Sequence, residues 1–292
     1  MPSTPRLACL RGAATLLLML SLRPGIARAQ GPVNHLYDKF QFGVSAATVV
    51  LGTTIRIDNA DGTRGTDIDL DALGIGQNAF SPSGAVAWRP GRRHELALTY
   101  LYVSRSGSKQ LERDIDFGDT TFAAGLQVNT SFAAPTLGLA YRFAILAKEN
   151  VQAGVQIGLG ALFFNVGIDA QGTVSGGGGD PLSGSYSASK GLTGPTAALG
   201  GFGAFRAGDH WTFNVDGGYI GATVSNISAS SWVLGADVRY FFNNHWGLSG
   251  GWSYAGVKVS TDTGIDGGWL DLTGSIEYNY NVFRLGAVYA LH

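Results

Sequence analysis

The sequence predicts an all-β protein: a closed antiparallel up-and-down transmembrane β-barrel of about ten strands, with eight to twelve consistent with the pattern. Three observations lead to this prediction. From Phe40 onward the chain repeats runs of about ten residues that are apolar at every second position. Short polar turns and long loops join these runs alternately. Charged residues are only 14% of the chain and 44 of its 292 residues are glycine, which is unusual for a soluble domain.

The first 29 residues have the features of a secretion signal peptide. A basic start is followed by an apolar core at residues 13–22 and by an A-x-A cleavage site before Gln30. The apolar core is much shorter than the roughly 20 residues of a membrane-spanning helix. The only cysteine, Cys9, would be removed with this segment, so the mature chain has no thiol chemistry. We therefore predict a signal peptide at residues 1–29 and a barrel domain at residues 30–292.

The alternation is clearest in residues 151–163. The odd-numbered residues of this run are apolar, and its even-numbered residues begin with Gln152, Gly154 and Gln156. We expect the apolar set to face outward and the polar set to face the barrel axis. Alternation alone would also fit a soluble barrel or sandwich with an apolar core. The signal peptide and the aromatic residues near the short turns favour the membrane. These aromatic residues are Trp88, Tyr141, Phe143, Phe205, Trp211, Tyr240, Phe242 and Trp246.

The connections fall into two classes that alternate along the chain. Short turns are predicted at residues 89–94, 147–150, 207–210 and 243–245. Long loops are predicted near residues 59–79, 105–125, 170–191, 225–230 and 260–273. Outer-membrane barrels place short turns in the periplasm and long loops outside the cell. With both chain ends on the periplasmic side, these connections imply about ten strands and an integral location in a bacterial outer membrane.

One run breaks the alternation. Its apolar residues are even-numbered from Ile276 to Val282, whereas Phe283 and Leu285 are odd-numbered. We predict a β-bulge at residues 282–283, which would return the apolar residues to one face.

The charge balance restricts the class of partner. Removal of residues 1–29 takes four arginines, which leaves 16 basic residues against 21 acidic residues and a net charge of −5. A mildly acidic protein lacks the basic surface that neutralises phosphates, so no nucleic-acid partner is expected.

Charged residues at inward positions are predicted to line the lumen. They are Glu95, Arg142, Arg206, Asp216, Asp237, Arg239, Glu277 and Arg284. In a barrel of about ten strands the bore is narrow, and side chains can nearly fill it. Charges that pair with one another would form a plug, and hydrated charges would form a small polar pore.

The sequence predicts no catalytic residue, no metal site and no cofactor. All five histidines lie in predicted short turns or near the chain ends, so none is expected at the outer face, where outer-membrane enzymes as families use histidine. Residues 247–251 match the G-x-S-x-G pattern of hydrolases, but they lie within a strand and not at a strand–turn–helix junction. We therefore expect a protein that is not an enzyme.

Two segments resemble known barrel families. Arg284, Gly286, Tyr289 and Leu291 are spaced like the C-terminal signal of bacterial outer-membrane barrels, although the final residue, usually aromatic in that family, is His292. The resemblance implies recognition by the barrel-assembly machinery. Residues 92–122 are similar to an uncharacterised group of proteobacterial outer-membrane barrel proteins, which implies location and fold and no activity.

The pattern favours an integral outer-membrane barrel with a structural or surface-interaction role. The alternative is a narrow channel for small polar solutes. Outer-membrane lipid and lipopolysaccharide are the expected neighbours, because basic residues occur toward the predicted outer side. These residues are Lys109, Arg113, Lys190 and Lys258.

Overall fold

A computed structural model describes residues 33–57, 66–69, 73–117, 120–176, 182–224, 227–261 and 274–292. The predicted signal peptide lies outside these residues, as do parts of the predicted long loops. The described chain begins with one turn of 3-10 helix, His35–Tyr37, and continues in fifteen strands. The strands are β1 Phe40–Ile57, β2 Ile68–Asp69, β3 Asn78–Gly91, β4 His94–Leu101, β5 Ser104–Gln110, β6 Ile115–Phe117, β7 Thr120–Phe122, β8 Gln127–Ala133, β9 Thr136–Ala147, β10 Val151–Gly176, β11 Leu182–Ala207, β12 Trp211–Val224, β13 Ile227–Phe241, β14 Trp246–Thr261 and β15 Gly274–Leu291.

Ten of these strands form a closed antiparallel barrel. Around the barrel the order is β1, β3, β4, β9, β10, β11, β12, β13, β14 and β15. The seam closes where β1 pairs with β15, from Phe40 opposite Leu291 to Ile57 opposite Gly274. Closure leaves no open sheet edge within the wall, as a lipid environment requires. The predicted fold class is confirmed, and so is the predicted number of strands.

The two ends of the barrel differ in size. At one end, tight turns join β3 to β4, β9 to β10, β11 to β12 and β13 to β14. We call this the short-turn end. At the other end β10 and β11 are 26 residues long, and β8 adds to the sheet by pairing with β10. A strand needs only about 9–11 residues to cross a bilayer, so these strands continue well beyond it.

The outer wall near the short-turn end is apolar. On β10, Val155, Ile157 and Leu159 are exposed on the outside, whereas Gln152 and Gln156 are buried inside. Aromatic side chains that include Trp88, Trp211 and Phe242 are exposed beside the short turns. Such a girdle is typical of a membrane–water interface. In the described part of the chain, no helix has both the length and the hydropathy needed to span a bilayer.

The apolar residues change faces along the strands. On β15, Phe283 and Leu285 lie on the outer wall, whereas Tyr278 and Val282 are buried in the interior. The pairing of β15 with β1 and β14 runs through this point without a shift in register. The predicted bulge at residues 282–283 is therefore wrong. The strand leaves the apolar band at this level, so the apolar side chains turn from lipid to the protein interior.

Beyond this level the interior is a hydrophobic core. β10 changes faces in the same way, with Phe163 partly exposed outside and Phe164 buried inside. Side chains from β1, β2, β3, β6, β7, β8, β10 and β15 and from several connecting segments form one buried cluster. We call it the upper core. Its centre includes Phe132, Phe164 and Tyr278, with Phe164 edge-on to Tyr278 at 4.9 Å between ring centroids.

Candidate functional site: the barrel interior and the outer strand edge

Arg142 is the centre of the charged interior below the upper core. It extends inward from β9, where its Nη1 donates to Glu95 at 3.0 Å and its Nη2 donates to Asp216 at 3.2 Å. Its Nε donates to Gln156 Oε1 at 3.0 Å. These three partners come from β4, β12 and β10, so one guanidinium connects separate parts of the wall across the bore.

A second group lies beside the first. Arg239 Nε donates to Asp237 at 2.9 Å, and Asn214 donates to the same carboxylate at 3.1 Å. Arg239 also donates to Gln41 of β1. Arg89 donates to Glu95, which joins the seam side of the barrel to the Arg142 group. Every charge in these two groups has an opposite charge within hydrogen-bond distance, as buried ions require.

The structure brings together five of the eight residues predicted to line the lumen, namely Glu95, Arg142, Asp216, Asp237 and Arg239. Arg206 instead pairs with Asp209 of its own turn at 2.5 Å. Glu277 is half exposed beyond the apolar band, where it pairs with Lys258 at 3.5 Å.

Arg284 and the other residues of the proposed assembly signal lie on β15. Arg284 has the same inward parity as Val282, and Tyr289 and Leu291 have the outward parity of Phe283. A Cβ atom at Gly286 would lie 2.2 Å from the carbonyl oxygen of Val44, so glycine is needed at this contact of the barrel seam. Recognition of these residues by the assembly machinery stays a prediction.

Four residues of the charged interior were absent from the predicted set: Arg89, Gln41, Gln156 and Asn214. Parity alone places the last three inside, but a search restricted to charged residues misses amides. Arg89 belongs to the turn predicted at residues 89–94. The structure keeps it in β3, where an irregularity in the pairing with β4 lies between Trp88 and Gly91.

The upper core and the charged interior together occupy the bore. Phe132, Phe164 and Tyr278 lie within 6.3 Å of one another between ring centroids. The Arg105 guanidinium lies over the Phe132 ring at 5.0 Å. A solute that enters from the long-loop end would meet apolar side chains first and paired charges next.

At the long-loop end, one strand edge has no ladder partner among the described residues. β12 pairs with β11 only from Leu199 to Ala207, and among the described residues the section 182–198 of β11 pairs with β10 alone. Alternate residues of an antiparallel strand direct their backbone groups to opposite sides. Phe163 N donates to Pro135 O on the far side of β10, so the backbone of Phe164 faces β11 and its partner Leu192.

Because even-numbered residues of β11 face β10, its odd-numbered residues direct their N–H and C=O groups to the open side. Pro195, which has no N–H, occupies one of these outward positions, where the ladder with β10 loses no hydrogen bond. Arg206, another even-numbered residue near the short-turn end of β11, also directs its N–H toward the β10 side, where it donates to Asn150 O. We call the outward-directed backbone of residues 182–198 the β11 edge.

Among the solved structures that match this chain, one has a closely similar barrel. Neither protein-family models nor curated proteins match the sequence. Among solved structures, the outer membrane protease OmpT from Escherichia coli matches with a TM-score of 0.59 and 14% identity, over 87% of this chain and 97% of OmpT. A FadL homologue from Pseudomonas aeruginosa matches with a TM-score of 0.36 and 10% identity, over 90% of this chain and 93% of its own. The translocator domain of the autotransporter NalP from Neisseria meningitidis matches with a TM-score of 0.30 and 15% identity, over 96% and 94%.

A closed barrel with an apolar outer band and a girdle of aromatic residues belongs in lipid. The chain is a bacterial outer-membrane β-barrel protein. Its predicted location as an integral protein of that membrane is confirmed. The similarity of residues 92–122 to a particular proteobacterial group stays a prediction.

The prediction that the protein is not an enzyme, which was based on the positions of its histidines, is wrong. OmpT is a protease, and its barrel matches most of this chain, so the fold does not exclude enzymatic activity. At 14% identity the similarity shows the fold alone and assigns no reaction to this protein.

Proposed function

We propose that this protein is a surface-interaction protein that binds an extended polypeptide segment along the β11 edge. The observation that carries the proposal is the row of backbone N–H and C=O groups in residues 182–198 that have no ladder partner among the described residues. Strand addition to such an edge is an established mode of peptide recognition, in which main-chain hydrogen bonds provide most of the affinity.

The upper core supports this proposal because it gives the edge a rigid base. β10 pairs with β11 from Val151 opposite Phe205 to Val174 opposite Leu182, and with β8 from Asn165 to Gln171. Inward side chains of β10 in this section, such as Val166 and Ile168, are buried in the upper core. A pre-ordered strand loses less conformational freedom on binding than a mobile loop does.

The alternative of a narrow channel has less support. The bore contains the upper core on one side and paired charges on the other, so a solute would have to displace both. Lipopolysaccharide is a proposed neighbour, and Lys258 is one exposed cation beyond the apolar band, although it is paired with Glu277.

Two neighbouring proline substitutions test the proposal. Ser189→Pro removes an outward N–H from the β11 edge and retains the ladder with β10, whereas Ala188→Pro removes an N–H that faces β10. The protein is reconstituted in nanodiscs, and the probe is fluorescent, reduced and carboxymethylated α-lactalbumin, which is an extended chain. We expect binding to the unsubstituted barrel, at least fivefold weaker binding to Ser189→Pro, and none to empty nanodiscs.

Ala188→Pro is the control for damage to the β10–β11 hairpin, because it removes a hydrogen bond between these two strands. Ser189→Pro removes only a group that the edge offers to a bound peptide. Amide hydrogen exchange in β10 should increase in Ala188→Pro and stay unchanged in Ser189→Pro. Equal binding by the unsubstituted barrel and by Ser189→Pro would overturn the proposal.

A further inference from the structure

Three potential metal ligands meet inside the short-turn end, beside the barrel seam. They are His35 of the 3-10 helix, Asp38 immediately before β1, and His292 immediately after β15. His35 Nδ1 lies 3.0 Å from Asp38 Oδ2, and His292 Nδ1 lies 2.7 Å from Asp38 Oδ1. The ligand atoms of the three residues all lie within 4.8 Å of one another. We call this group the His–Asp cluster.

The side chain of Asp38 is fully buried, and its two carboxylate oxygens have different partners. Oδ2 accepts a hydrogen bond from Gln41 Nε2 at 2.8 Å and contacts His35 Nδ1. Oδ1 has no hydrogen-bond partner among the described residues, although His292 Nδ1 is only 2.7 Å away. The two atoms are close enough to share a proton, and both are atoms that a single cation can bind.

The other ring nitrogen of His292, Nε2, also supports a cation at this position. Nε2 lies 2.6 Å from the carbonyl oxygen of Asn244, which can only accept, so Nε2 carries a hydrogen. In a neutral ring Nδ1 then presents a lone pair to the Asp38 carboxylate. A positive charge must lie between these two atoms, and either a proton or a metal ion supplies it. A hydrogen bond from the remote nitrogen of a histidine to a carbonyl is also the usual way in which metal-binding histidines are oriented.

We propose that His35, Asp38 and His292 bind a divalent transition metal ion, with Zn²⁺ the best fit to two imidazoles and one carboxylate. Zn²⁺ binds such ligands at about 2.0–2.2 Å, so its ligand atoms lie about 3.3 Å apart in a tetrahedral site. The two contacts of Asp38, at 2.7 and 3.0 Å, are hydrogen-bond distances, and all the ligand atoms lie within 4.8 Å, so binding of an ion requires side-chain rotations that separate the closest atoms by a few tenths of an ångström. The three protein ligands leave a fourth position for water or for a further donor.

The metal would join the two sides of the barrel seam at its short-turn end. His35 and Asp38 precede β1, and His292 follows β15, the two strands whose pairing closes the barrel. Packing already holds the ligands in place: the His35 ring stacks on Phe241, with 3.6 Å between centroids and 6° between planes. An ion that binds only the folded barrel stabilises it by mass action. Arg89 donates to the backbone carbonyl of Asp38 at 3.3 Å, so its positive charge lies near the proposed metal. The carboxylate of Glu95 pairs with Arg89 and offsets the repulsion between this guanidinium and the metal.

The test uses tag-free mature protein refolded in detergent, with Zn²⁺ and Co²⁺ as probes at pH 7.5. We expect one Zn²⁺ per barrel by calorimetry, a urea midpoint that Zn²⁺ raises and EDTA restores, and the visible absorption bands of tetrahedral Co²⁺. His292→Ala should weaken Zn²⁺ binding at least tenfold and abolish the Co²⁺ bands. His94→Ala is the matched control, because His94 lies at the same end and contacts Tyr141 outside the cluster, and it should bind like the unsubstituted protein.

His35→Ala also removes the ring that stacks on Phe241, so His35→Asn is compared with it. The folded fraction of each variant should lose the Co²⁺ bands. Absence of Zn²⁺ binding by the unsubstituted barrel would overturn the proposal and leave a cluster held by protons. Binding that His292→Ala and His94→Ala reduce equally, or not at all, would overturn it as well by assigning the ion to another place.

Discussion

Val282 and Phe283 are consecutive residues of β15 that face different environments. Val282 is 1% exposed in the upper core, and Phe283 is 52% exposed on the outer wall. Below this pair the apolar face of the strand points to lipid, and above it the apolar face points to the protein interior. The barrel therefore combines a membrane section that is apolar outside with an extension that is apolar inside, as in a soluble protein.

Phe163 and Phe164 provide a matched test of this division. Phe164→Ala removes a ring from the upper core and should destabilise the extension by about 3–5 kcal/mol. Phe163→Ala removes a partly exposed outer ring and should have a much smaller effect. Limited proteolysis in nanodiscs should cut the extension of Phe164→Ala at least tenfold faster, while both variants keep the heat-modifiable gel mobility of a folded barrel. Equal proteolysis of the two variants would contradict the assignment of faces.

Arg142 should contribute more to stability than Arg206 does. Arg142→Met leaves the carboxylates of Glu95 and Asp216 without their shared partner, which should lower the free energy of unfolding by about 3 kcal/mol. The Arg206 side chain is also mostly buried, but it pairs with a single acid, Asp209, whose side chain is 56% exposed, so Arg206→Met should cost less than Arg142→Met. Urea unfolding in detergent, followed by tryptophan fluorescence, measures both. A larger loss in Arg206→Met would show that the interior charges do not hold the wall together.

The filled bore predicts no steady conductance in planar bilayers. Phe164→Ala combined with Tyr278→Ala opens only the upper core, and Arg142→Met opens only the charged interior, so neither variant should conduct. The triple variant, which combines all three substitutions, should produce a small open level. The folded state of each variant is checked by gel mobility before insertion. A stable open level in the unsubstituted barrel would favour the channel alternative over the closed barrel described above.

Gly154 should tolerate no side chain. A Cβ atom at this position would lie 1.9 Å from the carbonyl oxygen of Phe143, so the β9–β10 pair would have to separate. Gly158→Ala is the control on the same strand, because its nearest contact would be Ala198 O at 3.9 Å. We expect Gly154→Ala to lose about 2–3 kcal/mol of stability and Gly158→Ala less than about 0.5 kcal/mol. Similar urea midpoints for the two variants would argue against close packing at this position.

Tyr278 should make the extension sensitive to alkaline pH. Burial raises the pKa of Tyr278 well above its ordinary value, and its hydroxyl has no hydrogen-bond partner among the described residues. The contribution to stability is complete below the unfolded-state pKa of about 10 and decreases as pH rises above it, because only the unfolded phenol ionises readily. The loss of stability between pH 9 and pH 11 should be smaller in Tyr278→Phe. Identical losses in the two proteins would show that this phenol does not contribute.

The sequence alone determined the barrel because strand alternation is a local property. In residues 151–163 the polarity of a side chain indicates whether it faces lipid or the barrel interior, and the short turns indicate where strands end. At residues 282–283 the local alternation does not determine which face each side chain occupies. When the apolar residues move from even to odd positions, either the strand contains a bulge or the strand passes from lipid into a region with an apolar interior. The uninterrupted register of β15 with β1 and β14 excludes the bulge.

Tertiary structure decided which polar residues act together. Arg142, Glu95 and Asp216 are far apart in sequence, and their ion pairs depend on the width of the bore and the register of three strands. His35 and His292 meet because β1 pairs with β15, a contact between the two ends of the described chain that no spacing in the sequence reveals. The β11 edge likewise has no partner among the described residues because the ladder of β12 with β11 ends at Tyr219. Where that ladder ends depends on the path of the neighbouring strand.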